Sequence, residues 1–444
     1  MAVVVAATLG IMWGGEARAQ AVEDRGQPQP PAKPAPTLPA VLTLRAALAI
    51  FRERGFDLLV ADANVRSAEG DFIIAGAVPN PSLSLDGGKN FKCASGQDCS
   101  VISYGIGLSD SNALSNLVTG KRGLRKDVFS AALDAARRSR DDAQRTLEFQ
   151  LKQAYIQALL AQALLRNTQE TVESFRRARI LNEHRFALGA INEGDLSRTQ
   201  VAELEAEQAV DQAEQNLRAT KVAVAFLLGF RTLVPDFQME ATELEFALPE
   251  AVAGATRESL LYDALDRRPD LLAQAEQTKR AEAGLSLAQR NRVPDVSVSA
   301  TYTANGQGDS NISPPNATLG LSLALPVFYF QRGEITKAAA DLAAQRALLE
   351  KAKAQVVADV ETAYAQLAAA RRLVERMQSN LLERAEKARD ITQVQYTKGA
   401  AALLDLLDAQ RTYTATRAEY AQDLAGYWIA VAQLEAAVTT DLRP

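Results

Sequence analysis

Few residues in this 444-residue chain carry side chains that catalyse reactions or bind metals. The chain has one histidine, His184, with two cysteines and four methionines. Histidine-dependent acid–base or nucleophilic catalysis and His- or Cys-ligated metal sites need several such residues at defined spacings. The sequence therefore indicates a protein that is not an enzyme and that has no metal site or other cofactor.

The two cysteines, Cys93 and Cys99, lie in the segment FKCASGQDCS. In an oxidising compartment this spacing allows a disulfide that closes a small ring. Two free thiols are the alternative, and a metal site is least favoured because no histidine lies nearby. His184 stands in a charged stretch, which predicts a solvated position on a helix.

Charge and composition exclude two further classes. The chain has 49 Lys+Arg against 54 Asp+Glu, a net charge of −5, and no basic cluster that interleaves with aromatic residues, so nucleic acid is not an expected partner. With 47% apolar and 23% charged residues, the composition is that of an ordered chain and not of a polytopic helical membrane protein.

The N-terminus has the features of an export signal. Residues 1–19 combine an apolar stretch with the triplet Ala17-Arg18-Ala19, which predicts signal-peptidase cleavage after Ala19. An apolar N-terminus without export function is the alternative, because the usual positive charges are missing. Residues 20–41 are Pro-rich and predict an extended leader, so that the folded part begins near Leu42.

An internal repeat organises the remaining chain. Arg54 to Leu59 recurs as Arg267 to Leu272 at an offset of 213, and Gly189-Ala190 recurs as Gly399-Ala400 at an offset of 210. These and further matches predict two similar halves, residues 42–235 and 258–438, with a linker at 236–257 and a tail at 439–444.

Each half predicts a helix, a β-hairpin, a very long helix and a further helix. The first helices, Arg45–Ile74 and Glu258–Arg292, end before prolines. The hairpins, at about residues 81–110 and 294–327, alternate large apolar residues with Ser, Thr, Gly and Ala. A helix over Arg122–Leu188 would span about 100 Å, so the molecule is expected to be elongated.

The second long helix predicts coiled-coil packing, because apolar residues recur every seven positions. One seam comprises Ile335, Leu342, Leu349, Val356, Ala363, Ala370 and Met377, and the other comprises Val360, Leu367, Val374, Leu381 and Ala388.

The predicted hairpins supply four strands, too few to close a barrel within one chain. An open sheet edge in lipid leaves backbone groups without hydrogen bonds, so several copies would have to close one barrel together. A small sheet packed on a soluble helical bundle is the alternative.

This order of elements, repeated over Leu42–Val438, resembles the TolC family of outer-membrane efflux channels. The most specific match is Tyr396–Gln410, YTKGAAALLDLLDAQ, which is similar to the family signature Y-x-x-G-x-x-x-x-x-D-x-L-D-A. The resemblance implies a mostly α fold with a membrane β-barrel: a homotrimer with a twelve-stranded barrel in outer-membrane lipid and a twelve-helix tunnel in the periplasm.

The resemblance also implies a function. It is that of a passive conduit in a tripartite efflux system, with a periplasmic adaptor (membrane fusion protein) and an inner-membrane proton-driven RND pump as partners. The segments Leu325–Ile335 and Val293–Val296 are most like the cobalt-zinc-cadmium subgroup, so small solutes, metal cations or drugs, are the expected cargo. A type I secretion duct and a soluble coiled-coil scaffold are the alternatives.

Acidic residues of the matching segment are candidates for the periplasmic gate. Asp405 and Asp408 lie on one helix face and resemble the acidic residues that ring the constricted mouth in this family, and Asp195 is the counterpart of Asp405 in the first half. Capping of a helix start is the alternative role. The chain departs from the family at Ala401, where a basic gate residue is common.

The other candidates lie at the predicted helix ends. Tyr396 resembles a gate-holding tyrosine, although Phe186 at the matching first-half position favours packing as the alternative. Leu188, Gly189 and Gly399 match the hairpin tips where adaptors dock in this family. The glycines are also expected as helix C-caps, a role compatible with docking.

Overall fold

The computed structural model describes residues 38–89, 102–231, 233–249, 254, 256–306 and 315–440. Within these ranges the chain is mostly helical, as predicted. None of the helices described there is both long and apolar enough to cross a membrane. The predicted signal peptide, most of the leader, Cys93 and Cys99 lie outside the described residues.

The first half contains three strands and five helices among the described residues. In chain order they are β1 (Val41–Leu42), α1 (Leu44–Arg54), α2 (Phe56–Gly76), β2 (Ser82–Lys89), β3 (Ile102–Ser109), α3 (Ala113–Val118), α4 (Lys121–Ala187) and α5 (Glu193–Leu227).

The second half follows after a short segment. Its elements, with those of that segment first, are β4 (Gln238–Met239), a 3₁₀ turn (Ala241–Leu244), α6 (Arg257–Arg267), α7 (Pro269–Arg290), β5 (Val296–Gly306), β6 (Asn316–Leu323), α8 (Arg332–Arg376), a π-turn (Met377–Leu381), α9 (Leu382–Thr397) and α10 (Leu403–Val438).

The first helix of each half is broken in two, contrary to the prediction of single helices over 45–74 and 258–292. In the first half the break is at Gly55, where a Cβ would lie 2.5 Å from the ring of Phe51. In the second half Pro269 begins α7, because proline cannot continue the preceding helix but fits a first turn. Two different residues thus make the same bend.

The two hairpins form one antiparallel sheet in the order β2-β3-β5-β6. The central pair joins the repeats, with Ile106 of β3 opposite Tyr302 of β5. The outer strands pair within each hairpin, so that Leu83 lies opposite Leu108 and Ala300 opposite Leu319. Within the described chain, β2 and β6 each have one edge without a strand partner.

The helices that flank the sheet form a layer in the same order. Helix α2, which leads into β2, packs on α4, which follows β3; α4 packs on α7, which leads into β5; and α7 packs on α8, which follows β6. The layer therefore ends at α2 and α8, as the sheet ends at β2 and β6.

The main hydrophobic core lies where the two halves meet in the middle of the long helices. It includes Phe51, Tyr155, Phe237 and Tyr427, each at most 2% exposed. The Tyr155 hydroxyl donates a hydrogen bond to the carbonyl of Leu42 at 2.8 Å. There β1 pairs in parallel with β4, which ties the start of the folded chain to the segment between the repeats.

A second, smaller core lies toward the ends of the long helices. It consists of Val172, Phe175, Ala202, Ala206, Tyr396, Leu403, Leu406 and Leu407. These residues come from α4, α5, α9 and α10, so this core joins the two helical hairpins, α4–α5 and α9–α10.

The predicted coiled-coil seams are present along α8 and as far as Met377, but not beyond. Val360 and Val374 are fully buried and Leu367 is 4% exposed. By contrast, Leu381 is 45% exposed and Ala388 is also exposed, contrary to the prediction. The reason is the π-turn at Met377–Leu381, which inserts one residue and turns the following helix.

Candidate functional site

The tips of the two helical hairpins have the same backbone structure. In the first tip the N–H of Gly189 donates to the carbonyl of Phe186 (2.9 Å) and that of Ala190 to Arg185 (2.8 Å). The second tip repeats both bonds, from Gly399 to Tyr396 (3.0 Å) and from Ala400 to Gln395 (2.7 Å). With φ of 69° and 75°, the glycines adopt the left-handed conformation that ends a helix in a Schellman cap.

The first tip also presents an apolar side chain to its surroundings. Leu188 is 84% exposed, and a Cβ placed on Gly189 or Gly399 would meet no atom within 4 Å. The predicted docking residues thus lie at the outermost turn of each hairpin, with open space around them.

The three aspartates occupy different positions at the helix starts. A carboxylate oxygen of Asp405 accepts a hydrogen bond from the backbone N–H of Ala402 at 3.0 Å, which is a capping contact. Asp195 lies 3.4 Å from Arg198 in an ion pair. Asp408 is exposed, and among the described residues it has no hydrogen bond or ion pair, so capping does not explain it.

Tyr396 is buried at 4% exposure and donates a hydrogen bond from its hydroxyl to the side-chain oxygen of Asn182 on α4. The amide of Asn182 donates to the hydroxyl of Thr199 on α5 at 2.8 Å. Both partners are fully buried, so these bonds link three helices in a dry environment. Phe186 is 42% exposed, so the two halves differ at this position.

Arg185 holds the same end of α9. Its guanidinium lies 4.6 Å from the centre of the Tyr396 ring. It also donates to the carbonyls of Tyr396 (2.9 Å) and Thr397 (3.1 Å). A cation at these last carbonyls is favourable because the C-terminal end of a helix is electronegative.

The first hairpin is tied by ion pairs between its two helices. Glu203 of α5, with a side chain 8% exposed, contacts Arg179 of α4 and lies 3.5 Å from Arg176. A buried carboxylate shared by two arginines fixes α4 against α5.

Sequence reasoning missed the partners of the gate candidates, namely Asn182, Thr199, Arg185 and Glu203. One signal was present: Asn182 lies seven residues after the buried Phe175, so a polar residue continues an apolar helix face. Such a residue predicts a buried hydrogen bond, although not its partner.

One face of the sheet carries large apolar side chains, and the other carries small ones. Large side chains of the outer strands are exposed on one face: Leu83 (64%), Leu85 (70%), Leu319 (85%) and Leu321 (74%). The opposite face of the central strand β3 carries Ser103, Gly105, Gly107 and Ser109, which are less exposed. Within the described residues, no group of three or more His, Cys, Asp or Glu side chains is placed to hold a metal ion.

These features define a class of protein: a subunit whose sheet, among the described residues, has two open edges and one exposed apolar face, and which carries two long helical hairpins. The family model for outer membrane efflux proteins matches residues 48–230 and 260–440. The chain belongs to this family. It is an outer-membrane efflux channel protein with a periplasmic helical part, and the TolC-type resemblance is confirmed.

Two relatives match over most of their length. The cobalt-zinc-cadmium resistance protein CzcC of Cupriavidus metallidurans is 26% identical over 85% of this chain and 85% of its own. The pyoverdine export outer membrane protein OpmQ of Pseudomonas putida is 27% identical over 82% of this chain and 78% of its own.

Solved channel structures share the fold. CusC superposes with a TM-score of 0.73 over 94% of this chain and 99% of its own, at 18% identity. The outer-membrane channel OprN gives a TM-score of 0.74 over 90% of this chain and 91% of its own, at 21% identity.

Proposed function

We propose that three copies of this chain close one channel that serves as the outer-membrane conduit of a tripartite efflux system. Its other components are a periplasmic adaptor and an inner-membrane proton-driven RND pump. The observation that carries the proposal is the open sheet, whose apolar face is exposed and whose two edge strands, in the described part of the chain, each lack a partner on the outer side. In lipid each unpaired backbone group costs several kcal/mol, so these edges must be paired by further copies.

The closure has a definite arrangement. Because the ends of the sheet are β2 and β6, the β6 edge of one copy pairs with the β2 edge of the next. The helix layer closes in the same sense, α8 of one copy against α2 of the next. Three copies of four strands give the twelve-stranded barrel, with the Leu-rich face toward lipid and the Ser- and Gly-rich face toward the lumen.

The cargo proposal rests on the relatives. CzcC is a cobalt-zinc-cadmium resistance protein and OpmQ exports pyoverdine, so related channels serve systems with different cargoes. We assign small solutes, metal cations or drugs, to this channel. Selection of the cargo is then a property of the pump.

The hairpin tips supply the gate and the docking surface of the proposed channel. Asp405 and Asp408 of three copies place negative charge around the periplasmic mouth, with Asp195 on the neighbouring hairpin. Tyr396 holds α9 against α4 through Asn182. The exposed Leu188, with Gly189 and Gly399, offers the adaptor two turns of matching backbone structure.

Mass determination tests the assembly. The mature chain extracted from the outer membrane in detergent is expected at about three times the mass of one chain. A monomer or dimer would contradict the shared barrel.

Charge removal tests the gate. Replacing Asp405 and Asp408 by Asn is expected to lower the cation-over-anion permeability ratio several-fold, because charged rings set ion selectivity. The reversal potential of single channels across a KCl gradient measures this ratio. Asp211→Asn, at an exposed position on α5 far from the tip, is the matched control. If the permeability ratio is unchanged in the double variant, neither carboxylate lies in the conduction path.

A further inference from the structure

The π-turn changes which face of α9 is buried. Of the residues of α9, a set of five is at least partly buried and the others are exposed: Leu382, Ala385, Arg389, Thr392 and Tyr396. They follow Met377, the last residue of the upstream seam, by five, eight, twelve, fifteen and nineteen positions.

A continuous α-helix would bury a different set. It would extend the upstream seam to positions four, seven, eleven, fourteen and eighteen after Met377. These are Leu381, Arg384, Ala388, Ile391 and Gln395, each directly preceding a residue of the observed set. The displacement is one residue throughout, which is what a π-turn inserts.

The two faces of α9 offer different interactions. The observed face carries Tyr396, bonded to Asn182, and Arg389, whose guanidinium lies 4.0 Å from the ring centre of Tyr413 on α10. The other face carries Ile391, which is 58% exposed, and it continues from Leu381, the last residue of the π-turn, which is 45% exposed. A second packing arrangement of the same helix, in the register of the upstream seam, would bury these apolar residues.

The ion pairs of α9 do not oppose its rotation. Its ion pairs in the described structure are all internal: Lys387 with Glu383, and Arg389 with Glu386 and Asp390. The contacts that a rotation must break are the hydrogen bond between Tyr396 and Asn182, the bonds from Arg185, the Arg389–Tyr413 stacking and the packing of Tyr396 in the second hydrophobic core.

We propose that α9 is a two-register switch. Loss of the π-turn turns α9 by about 100° about its axis, the angle of one residue. This brings Leu381, Ala388 and Ile391 into the seam and releases Tyr396 from Asn182. The inference rests on the proposed channel function, because α9 ends at Thr397, two residues before the tip glycine Gly399 at the proposed mouth.

The test uses the full trimer in planar lipid bilayers, with the time spent in a high-conductance state as the readout. Leu381→Gln with Ile391→Gln leaves the observed register intact, since both side chains are exposed there. In the other register it buries two amide side chains, so the high-conductance time is expected to fall at least about tenfold.

Val394→Gln is the matched control. Val394 is 52% exposed and lies 21 positions, three heptads, after Leu373, which is 47% exposed on the upstream helix. It is therefore exposed in both registers, and its substitution is expected to leave the conductance record unchanged. Equal effects of the control and the double variant would overturn the switch.

Thiol labelling reports the register without channel activity. In a chain with Cys93 and Cys99 replaced by Ser, a maleimide is expected to label Ile391→Cys faster than Thr392→Cys. Adding Tyr396→Phe removes the bond to Asn182, and the ratio of the two rates is expected to fall several-fold. An unchanged ratio would overturn the proposal.

Deletion of Ser379 provides an independent check. It removes the inserted residue, so a continuous helix keeps Tyr396 in the seam and the switch is fixed in the observed register. The high-conductance time is then expected to fall as in the double variant. If the unaltered trimer forms no channels, the proposed function fails, while the labelling ratio still decides whether α9 changes register.

Discussion

The long helix of the first repeat and its counterpart in the second differ in continuity. Helix α4 runs unbroken through 67 residues, whereas the second long helix is divided into α8 and α9 by a π-turn. The first hairpin is also fixed by Glu203 between its helices, whereas the ion pairs of α9 stay within α9. Although the two halves share one architecture, the α4–α5 hairpin is held in one arrangement, whereas the α9–α10 hairpin has the second register proposed for α9.

The bends near the start of each half show a second contrast. In the first half the residue at the bend is Gly55, which has no side chain. In the second half Arg268, whose side chain is 3% exposed, contacts Asp270 at 2.6 Å and Asp359 at 2.9 Å. The second repeat therefore depends on buried charge where the first depends on the absence of a side chain.

Removal of that charge is the largest expected effect. Arg268→Met removes the cation that contacts two carboxylates, each about one-third exposed, and is expected to cost about 2–3 kcal/mol of unfolding free energy. Urea unfolding followed by circular dichroism measures it. Arg267→Met, at the exposed neighbouring position, is the control and is expected to change stability by less than about 0.5 kcal/mol.

The same contact predicts an acid dependence. Burial raises the pKa of Asp270, but the hydrogen bonds and charge of Arg268 outweigh it, so the pKa lies below its ordinary value. A carboxyl with a lowered folded-state pKa stabilises the fold above its unfolded pKa of about 3.9 and loses this stabilisation as pH falls through the folded value.

Unfolding free energy is therefore expected to decline below about pH 4, and less so in Arg268→Met. Urea titrations of both proteins at pH 6, 4 and 3 measure how the unfolding free energy changes with pH. If the unfolding free energy falls with pH equally in both proteins, the Arg268–Asp270 contact is not the cause of the acid dependence.

A smaller effect is expected at the first hairpin. Glu203→Gln removes the charge that holds Arg176 and Arg179, and because both arginines are partly exposed the cost is about 1–2 kcal/mol. Hydrogen exchange of α4 and α5 reports it. Glu386→Gln in α9, where Glu386 is exposed and its partner Arg389 keeps a second ion pair with Asp390, is expected to cost at most about 0.5 kcal/mol. If Glu203→Gln and Glu386→Gln cost the same unfolding free energy, the two hairpins do not differ in rigidity.

The smallest effects concern the tips, where the repeats agree. Gly189→Ala and Gly399→Ala each place a side chain at positive φ without a clash, so each is expected to cost about 1 kcal/mol. Thermal unfolding measures the stability loss of each of the two variants. A clearly larger loss at Gly399 would show that the second tip carries interactions beyond its cap.

Local rules account for the parts of the fold that could be predicted. The tip glycines, the alternating strands and the proline before α7 depend on the sterics of a few neighbouring residues. The bend at Gly55 was missed because glycine is tolerated inside a helix, and only the ring of Phe51 shows why no side chain fits there.

The candidate site was predicted less completely. Asp405 and Gly399 are recognisable from a contiguous segment, whereas the Tyr396–Asn182 bond joins residues 214 positions apart. Heptad spacing placed Leu381 and Ala388 in the seam because a repeat read from sequence assumes a constant helical period. One additional residue in a single turn invalidates that assumption for all that follows.

The parallel pair β1–β4 sets an order for folding during export. Leu42 is fully buried and pairs with Met239, 197 positions later in the chain. A chain that crosses the inner membrane from its N-terminus therefore delivers Leu42 long before its strand partner. The β1–β4 pair must wait until about half of the polypeptide has emerged, and the central core, which also includes Tyr427, is completed only when nearly the whole chain has emerged. The early chain is therefore expected to depend on periplasmic protection until then.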